Sequence, residues 1–334
     1  MKKPTLCVVF GGKSSEYEVS LRSAYAVLSH LSKEKYDIVR LGITKGSEWY
    51  LYEGENERIL NDTWQGEGTV AVTVDVSNGH LIALGREMYA IHIDLILPVL
   101  HGGYGEDGRL QGLFEIAEVR CVGCPSFCSH ICMDKSLTKA FAASLGIKVA
   151  RSYKKGDTLE YPVFVKPKMG GSSVGAMPAN DEKELEAALE NALPYGDVLV
   201  EEHIDGFEAE VGVLERNGEI IVSPVGMIRH KSRFYDYETK YMCGENEYLI
   251  PAPIDEKTGE EIREKARQLF IGLGCKGLGR FDFFVTRNRE AVFNEVNTLP
   301  GFTDISMFPK LFMSMGYSFE AILDIIIENE LKER

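Results

Sequence analysis

The pattern of apolar and polar positions predicts strands and helices from the first residues of the chain. The run TLCVVF predicts a buried strand, and the glycines after it predict a tight turn. In SLRSAYAVLSHL the apolar residues recur at helical spacing, and Ser15 and Glu18 are spaced as a capping box at the start of this helix. The N-terminus therefore predicts a strand–turn–helix unit.

Two further apolar runs extend this unit into a sheet. YDIVRLGIT and IDLILPVL predict strands, and the second contains a continuous apolar run, as strands buried on both faces of a parallel sheet do. Residues 1–124 are therefore expected to form an open parallel α/β domain. Such sheets bind ligands beyond the carboxyl ends of their strands, where GGKSSE and HGGYGEDG lie.

The middle of the chain changes character. YPVFVKP and DVLVEEHI predict strands, and Asp181 is placed to cap the helix DEKELEAALENAL between them. This pattern predicts a small α+β domain over residues 125–204.

Residues 205–334 predict a second α+β domain. Asn217-Gly218 is the residue pair typical of a type I′ hairpin turn, and apolar strands flank it. The polar stretch 228–247 follows, and we interpret it as a lid or binding loop because structureless connections of this length are uncommon. The helix EEIREKARQLFIGLG then leads to a second hairpin.

Acidic side chains occupy strand positions in that second hairpin, residues 279–301. With its turn near Thr286–Glu290, Asp282 falls opposite Glu295, and neighbouring strands lie about 4.8 Å apart. Both carboxylates can therefore reach one cation. Asn297 follows Glu295 at the next position on the same face.

Two carboxylates and an amide are hard oxygen ligands that favour Mg²⁺ or Mn²⁺ over zinc. Strict alternation also places Phe293 on the face of Glu295 and Asn297. The alternative is a solvated acidic strand face. The surrounding phenylalanines and valines favour burial, and buried acids need partners.

The segment VKPKMGGSSVG predicts a loop that can bind phosphate. Lys166 precedes its glycines, which free backbone amides, and Ser172 and Ser173 add hydroxyl donors. The loop is neither a Walker A motif nor a GxGxxG turn, so an ordinary hairpin tip is the alternative. Together with Lys135 and Lys240, Lys166 provides a local anion site in an acidic protein.

Composition excludes several classes of protein. The 334 residues carry a formal net charge of −14, which disfavours nucleic acid as a partner because phosphate backbones favour basic surfaces. No apolar run approaches the roughly 20 residues of a spanning helix, and the N-terminus carries no cleavage signal. We expect a cytoplasmic protein without a membrane contact.

Four of the seven cysteines crowd one segment, at Cys121, Cys124, Cys128 and Cys132. Such spacings occur in metal and iron–sulfur sites. Cys128 and Cys132 are one helical turn apart, however, and buried cysteine is also a common small hydrophobic residue. We interpret the cluster as packing, since a metal site would need converging geometry.

Seven motifs lie in order along nearly the whole chain: GGKSSEYEVS, HGGYGEDGRLQG, MDK, VKPKMGGSSVG, FYDYETKY, GRFDFF and NEVNTLPGFTDISMFPKL. Each alone is modest, but the ordered set is specific. It resembles the D-alanine:D-alanine ligases of the ATP-grasp superfamily. The resemblance implies an ATP-grasp architecture, in which the N-terminal α/β domain accompanies two α+β domains that clasp ATP.

On the nucleotide side, the resemblance implies that Asp282, Glu295 and Asn297 bind Mg²⁺ or Mn²⁺ beside the ATP phosphates. The other residues that it places around ATP are Lys135, Lys166, Ser173, Glu201, His203, Ile204, Glu208 and Lys240.

On the substrate side, the resemblance implies that Glu16 holds the ammonium of the first D-alanine, helped by Ser172 and Tyr241, with His101 beside this subsite. Taken singly, Glu16 also fits a helix cap and His101 a buried structural histidine. The remaining implied contacts are Arg280 and the Gly301 amide for the oxyanion, and Ser306 for the second substrate's carboxylate.

The implied activity is the ATP-dependent joining of two D-alanines, through a D-alanyl phosphate, for peptidoglycan synthesis by a homodimer. Met307 is apolar and suits a methyl side chain on the acceptor; D-serine and D-lactate are the alternative acceptors. A nucleotide-binding sensor without catalysis is the alternative of another class. The complete set of charged site residues argues against a sensor.

Overall fold

The computed structural model describes residues 2–229 and 247–332, which form three β-sheets flanked by helices. The sheets follow one another along the chain, and the predicted mixture of α/β and α+β units is confirmed. Among the helices in these two ranges, none combines the length and the apolar character that crossing a membrane requires.

The first sheet contains eight strands. They are β1 Thr5–Gly11, β2 Asp37–Ile43, β3 Trp49–Tyr52, β4 Thr69–Asp75, β5 His80–Leu84, β6 Met88–His92, β7 Leu95–Val99 and β8 Arg120–Cys121. The accompanying helices are α1 Tyr17–His30, α2 Asn56–Leu60, α3 Gly103–Glu106 and α4 Arg109–Ile116. The spatial order is β6-β5-β4-β3-β2-β1-β7-β8.

The strands β2, β1 and β7 are parallel, as predicted, and every residue of β7 is buried. The short strand β8 adds to them in parallel. The strands β3 to β6, which were not predicted, extend this sheet in antiparallel fashion. Their residues are largely half-buried or exposed, so the apolar signal of this extension is weak.

The start of α1 differs from the prediction. Glu16 is the N-cap residue but its side chain does not cap the helix, and Ser14 Oγ accepts the Glu16 amide at 3.0 Å. Glu18 pairs instead with Lys45, at 2.5 Å. The predicted capping box of Ser15 and Glu18 is therefore wrong, because the helix begins one residue later than the box requires, with Glu16 and not Ser15 as its N-cap.

The second sheet has four antiparallel strands in the order β11-β10-β12-β9. These are β9 Ser152–Tyr153, β10 Val163–Pro167, β11 Met177–Ala179 and β12 Val198–Glu202. The helix α7, Glu182–Ala192, packs on this sheet. Its predicted cap is confirmed, since Asp181 accepts the Glu184 amide at 2.9 Å.

Two helices precede the second sheet, α5 Ser126–Met133 and α6 Lys135–Ser144. Although they lie inside the range predicted for the middle domain, Cys128 and Ala142 share a buried cluster with Phe293 of the third sheet. The second sheet has a core of only a few side chains, so it offers α5 and α6 less apolar surface to pack against than the third sheet does.

The third sheet is antiparallel. Its strands are β13 Gly206–Arg216, β14 Glu219–Arg229, β15 Glu247–Leu249, β16 Leu278–Thr286 and β17 Ala291–Asn297, in the order β15-β14-β13-β16-β17. The helices are α8 Glu256–Gly272, α9 Met307–Met313 and α10 Phe319–Lys332. Asn217 and Gly218, with φ of 51° and 80°, form the predicted hairpin turn.

The last helix, α10, packs against elements of the N-terminal sheet. Leu323 and Ile326 of α10 are buried in one cluster with Val27 of α1 and Leu95 of β7. This packing brings the loops that follow β1 and β7 beside the hairpin of β16 and β17, where the site lies.

Candidate active site

Glu16 is enclosed by three loops that the sequence motifs supply. Its carboxylate accepts a hydrogen bond from the hydroxyl of Ser172. A Cβ on Gly102, whose φ is 61°, would lie 2.5 Å from Glu16 Oε2, and one on Gly171 would lie 3.0 Å from the same atom. Only glycine allows this approach, so three distant motifs meet at one carboxylate.

The glycine–serine loop turns its two serines in different directions. Ser172 and Ser173 have φ of 51° and 58°, a left-handed conformation that non-glycine residues adopt rarely. Ser172 is buried against Glu16, whereas Ser173 is exposed. The predicted contact of Ser173 with nucleotide remains a prediction.

The hairpin of β16 and β17 has the predicted register. Asp282 lies opposite Glu295, and Arg280 lies opposite Asn297. The Asn297 amide donates to Asp282 Oδ2 at 2.9 Å, and Arg280 donates to both Asp282 oxygens at 2.8 Å. The three predicted cation ligands are therefore adjacent, and the side chain of Arg280 lies against them.

A β-bulge corrects one part of that prediction. The register passes from Asp282 opposite Glu295 to Phe283 opposite Phe293, which leaves Asn294 as the extra residue. Phe293 consequently packs in the core, with its ring centroid 5.5 Å from that of Phe283, and does not share the face of Glu295. Asn294 Oδ1 accepts a hydrogen bond from Lys166 at 3.1 Å, a site contact that strict alternation concealed.

Negative charge accumulates around the hairpin. Burial raises the pKa of Asp282 to about 6; Arg280 opposes this shift, and Glu210 and Glu295 add to it. Glu210 lies opposite Asp282 on β13, and its Oε2 is 2.9 Å from Arg280 Nε. Glu210 was not predicted as a site residue, although its alternation with Glu208 was a usable signal. Such a surplus of carboxylates is what a bound divalent cation neutralises.

Glu106 is a further acid at the site that was not predicted, although it lies within the motif HGGYGEDG. It accepts the amides of Gly102 at 3.0 Å and Leu299 at 3.3 Å. Burial, followed by the charge of Glu16, raises the pKa of Glu106 to about 7. The residues that line the cavity beside it include Glu16, Cys132, Lys135, Glu295 and Asn297.

Two of the predicted phosphate-binding lysines are buried next to acids. Lys135, the first residue of α6, donates to Gly170 O at 2.5 Å and lies 3.1 Å from Glu295 Oε2. Lys166 lies 2.9 Å from Glu201 Oε2. Both ammonium groups thus face the cleft between the second and third sheets.

A second lysine, which was not predicted as a site residue, also contacts Glu201. Lys139, one turn after Lys135 in α6, donates to the Glu201 carboxylate, which is almost fully buried. Burial and then the charge of Lys166 lower the pKa of Lys139 to about 7. The predicted contact of Glu201 with adenine stays a prediction, since a carboxylate with two lysine partners can still accept a further hydrogen bond.

The other adenine-side residues lie at the junction of the second and third sheets. His203 and Ile204 lie in the short linker between β12 and β13, and the His203 amide donates to Pro162 O at 3.3 Å. Glu208 lies on β13 opposite Phe284 and is exposed. Their contacts with nucleotide stay predictions.

His101 connects elements instead of lining the cavity. Its Nδ1 lies 3.0 Å from Leu299 O and its Nε2 2.9 Å from Ser23 Oγ. Because a carbonyl only accepts, Nδ1 carries the proton and Nε2 accepts the Ser23 hydroxyl. Burial lowers the pKa of His101, which favours the neutral ring. Both ring nitrogens are thus engaged by protein groups, and the predicted place of His101 beside the substrate stays a prediction.

Gly301 and Ser306 lie in one turn before α9. A Cβ on Gly301 would lie 2.7 Å from Ser306 Oγ, and Ser306 Oγ accepts the Thr303 amide at 3.0 Å. Met307 is 2% exposed, and its Sδ packs against Gly226 of β14. This first residue of α9 turns inward, and the predicted contact of Met307 with the acceptor stays a prediction.

Lys240, Tyr241 and the interior of the predicted lid at 228–247 lie outside the described residues. Their roles stay predictions.

Comparisons with known proteins cover nearly the whole chain. Residues 5–124 match the family described as D-ala D-ala ligase N-terminus, and residues 144–328 match that described as D-ala D-ala ligase C-terminus. A Clostridium tetani protein named D-alanine--D-alanine ligase B is 41% identical over 98% of this chain and 94% of its own. A Clostridium acetobutylicum protein named D-alanine--D-alanine ligase is 39% identical over 98% and 97%.

Two solved structures are similar over almost their full length. That of the VanG D-Ala:D-Ser ligase from Enterococcus faecalis has a TM-score of 0.88 and 40% identity, covering 98% of this chain and 100% of that one. That of the D-alanine-D-alanine ligase from Coxiella burnetii has a TM-score of 0.85 and 30% identity, covering 99% and 94%.

The fold and these likenesses define the class as the ATP-dependent ligases of ATP-grasp architecture, as expected from the motifs. Within that class, the chain belongs to the D-alanine–D-alanine ligase family.

Proposed function

We propose that this protein joins two molecules of D-alanine into D-alanyl-D-alanine, with the consumption of ATP, for peptidoglycan synthesis. The observation that carries the proposal is that Glu16, Glu295 and Asn297 line one cavity. An acid suited to hold an ammonium group thus stands beside oxygen ligands suited to a phosphate-bound cation.

Asp282, Glu295 and Asn297 would hold Mg²⁺ or Mn²⁺, because their oxygens are hard ligands in a region with surplus negative charge. Such a cation, when bound, neutralises phosphate charge and polarises phosphoryl oxygen. Arg280 and Lys135, which contact Asp282 and Glu295, partly offset the charge of these acids in the protein itself.

The first D-alanine must be activated, because the oxygen of a carboxylate is a poor leaving group. Glu16 would hold its ammonium group, and the Ser172 hydroxyl orients the Glu16 carboxylate. The substrate carboxylate then attacks the γ-phosphate of ATP to form an acyl phosphate and ADP. Lys166, and Lys240 by prediction, would balance the charge of the transferred phosphate.

The amine of the second amino acid then attacks the acyl phosphate, and phosphate leaves. Arg280 and the Gly301 amide would stabilise the tetrahedral oxyanion, where one such donor contributes about 10²- to 10³-fold in rate. Asp282 and Glu210 both lie against the Arg280 guanidinium and limit its orientation. Because water would hydrolyse the acyl phosphate, closure by residues 228–247 remains part of the proposal.

D-Alanine is the proposed acceptor, and D-serine is the second candidate. The Clostridium relatives favour D-alanine by name, whereas the Enterococcus structure, similar over the full chain, is of a D-Ala:D-Ser ligase. Met307 is buried, so we assign the acceptor from these likenesses and not from the apolar character of that side chain.

Product identification tests both parts of the proposal. Purified protein is incubated with ATP and Mg²⁺ and with D-alanine alone, D-alanine plus D-serine, or D-alanine plus D-lactate, and products are identified by mass spectrometry. We expect D-alanyl-D-alanine in every mixture that contains D-alanine. Predominant D-alanyl-D-serine in the second mixture would show that D-serine is the acceptor. ATP binding without D-alanine-dependent phosphate release would indicate a nucleotide-binding sensor.

We further propose a cytoplasmic homodimer. ATP supply supports the cytoplasm as the site of the reaction. The mass of the full-length protein, measured by light scattering during gel filtration, tests the dimer: a mass of one chain at micromolar concentration would contradict it.

A further inference from the structure

Four buried cysteines from three segments meet beside the candidate active site. Cys128 and Cys132 lie on α5, Cys124 precedes this helix, and Cys275 follows α8. None of the four is more than 5% exposed. Cys275 lies 147 positions from Cys128 in the sequence, so only folding brings these two thiols together.

The separations between the sulfurs are those of metal ligands. The Sγ atoms of Cys124, Cys128 and Cys275 all lie within 4.8 Å of one another. Cys128 Sγ is 3.6 Å from Cys275 Sγ and 3.8 Å from Cys132 Sγ. Four thiolates around a tetrahedral zinc ion, with bonds near 2.3 Å, stand about 3.8 Å apart. The sulfurs of Cys124, Cys128 and Cys275 therefore need little rearrangement to bind such an ion, and Cys132 lies next to Cys128 as the candidate fourth ligand.

Core packing or a disulfide explains the meeting of these four cysteines less completely than a bound cation does. A disulfide joins two sulfurs, whereas Cys128 contacts two others and Cys124 completes the group. Packing would accept any small apolar residue at each position. The convergence of four soft ligands is the feature that a thiophilic cation explains.

The backbone lets the segments that carry Cys124 and Cys275 approach closely. Gly123 and Gly277 have φ of 101° and 68°, in the left-handed region. A Cβ on Gly277 would lie 3.4 Å from the Gly123 backbone. Cys124 also donates a weak hydrogen bond to Lys276 O at 3.9 Å. Two glycine turns thus bring sulfurs from distant parts of the chain together.

We propose that Cys124, Cys128 and Cys275, with Cys132 as a fourth ligand, bind a thiophilic cation of the zinc class. The bound ion would tie α5 to the turn before β16, the strand that carries Arg280 and Asp282. Cys132 also lines the active-site cavity, which provides a route for the ion to the cluster. This soft site is distinct from the oxygen ligands of the hairpin and does not depend on the proposed ligase activity.

Cobalt is the probe, because Co²⁺ bound to thiolates gives sulfur-to-metal charge-transfer absorption that oxygen ligands do not give. Reduced, metal-free, full-length protein is titrated with Co²⁺ in excess Mg²⁺, which saturates oxygen sites. We expect one Co²⁺ per chain with this absorption and its displacement by Zn²⁺. We also expect a higher midpoint of thermal unfolding with Zn²⁺, since an ion that binds only the folded state stabilises it.

The matched variants are Cys128→Ala and Cys7→Ala. Cys7 is buried in a separate core cluster, so both changes remove the same atoms from a buried position. Cys128→Ala should weaken Co²⁺ binding by at least about tenfold, whereas Cys7→Ala should bind as the wild type does. Cys275→Ser keeps the side-chain size and should weaken Co²⁺ binding as Cys128→Ala does. It replaces Cys128→Ala in the test if Cys128→Ala does not fold.

Three results would overturn the proposal. The wild type at stoichiometric Co²⁺ could lack sulfur charge transfer, which would leave packing as the role of the cluster. Cys128→Ala and Cys275→Ser could bind Co²⁺ as tightly as Cys7→Ala. Finally, mass spectrometry without reductant could show a disulfide within the cluster and no bound metal, which would indicate a redox pair instead.

Discussion

Asp282 and Glu295 face each other across β16 and β17, and the bulge at Asn294 begins immediately beyond this pair. The bulge lets two consecutive residues of β17, Asn294 and Glu295, contact lysines of the cleft, at 3.1 Å in each case. A regular ladder would turn one of them away. The hairpin therefore supplies both the proposed cation ligands and a contact that positions Lys166.

Removing both opposed carboxylates should abolish metal-dependent turnover. For Asp282→Asn combined with Glu295→Gln, we expect the D-alanine-dependent rate of phosphate release to fall by at least about 100-fold at saturating Mg²⁺, because the hard anionic ligands are lost. Glu290→Gln, at the exposed turn of the same hairpin, is the control and should retain activity. Unchanged Mg²⁺ dependence in the double variant would refute the ligand assignment.

Arg280 should be needed for both rate and stability. Arg280→Ala should lower kcat about 10²- to 10³-fold, and loss of the cation beside buried Asp282 and Glu210 should lower the free energy of unfolding by roughly 3 kcal/mol. Arg280→Lys keeps the charge but not the planar fork, so it should recover more stability than kcat. Steady-state kinetics and urea unfolding measure the two effects. Near-normal kcat in Arg280→Ala would exclude the oxyanion role.

Glu106 should make stability fall at alkaline pH. Burial raises its pKa from 4.5 to about 7, so the folded state keeps a proton that the unfolded chain releases above pH 4.5. The resulting stability is complete below about pH 4.5 and is lost as pH rises through about 7. Glu106→Gln cannot ionise, and we expect it to be more stable than the wild type by roughly 2–3 kcal/mol at pH 8, with little of this difference at pH 4.5.

Urea unfolding of both proteins at the two pH values, in EDTA and without nucleotide, measures this difference. EDTA keeps divalent cations from compensating the charge of Glu106 and its acidic neighbours. The same difference at both pH values would show that the substitution acts through packing.

Gly102 should be irreplaceable because of Glu16. In Gly102→Ala, the Cβ would lie 2.5 Å from Glu16 Oε2 and displace that carboxylate. We expect the KM for the first D-alanine to rise by roughly tenfold or more, in addition to the strain of about 1 kcal/mol that a positive φ imposes on alanine. Initial rates over a range of D-alanine concentrations measure this effect.

Gly66→Ala separates the contact from the strain. Gly66 also has a positive φ, of 103°, but a Cβ there would have no atom within 4 Å. Gly66→Ala should lose about as much stability as Gly102→Ala does, but its KM for D-alanine should equal that of the wild type. If the two variants had the same KM, the enclosure of Glu16 by Gly102 would not matter for substrate binding.

Several elements were predictable because their determinants lie within a few residues. The Asn217-Gly218 turn, the Asp181 cap and the apolar strand β7 each follow from adjacent side chains and backbone preference. The opposition of Asp282 and Glu295 also follows from turn position and strand alternation. Alternation failed at Phe293, since nothing in the local pattern marks the bulge.

The sequence by itself determined the order of the motifs, the α/β and α+β classes of the sheets, and the chemical character of the hairpin, since periodicity and turn preference are local properties. Tertiary packing decided the ion pair of Lys139 with Glu201, the meeting of Cys275 with the α5 cysteines, and the inward turn of Met307. These contacts join residues that no short-range pattern relates. They form only because burying the apolar faces of the helices and sheets leaves one arrangement in which the segments touch.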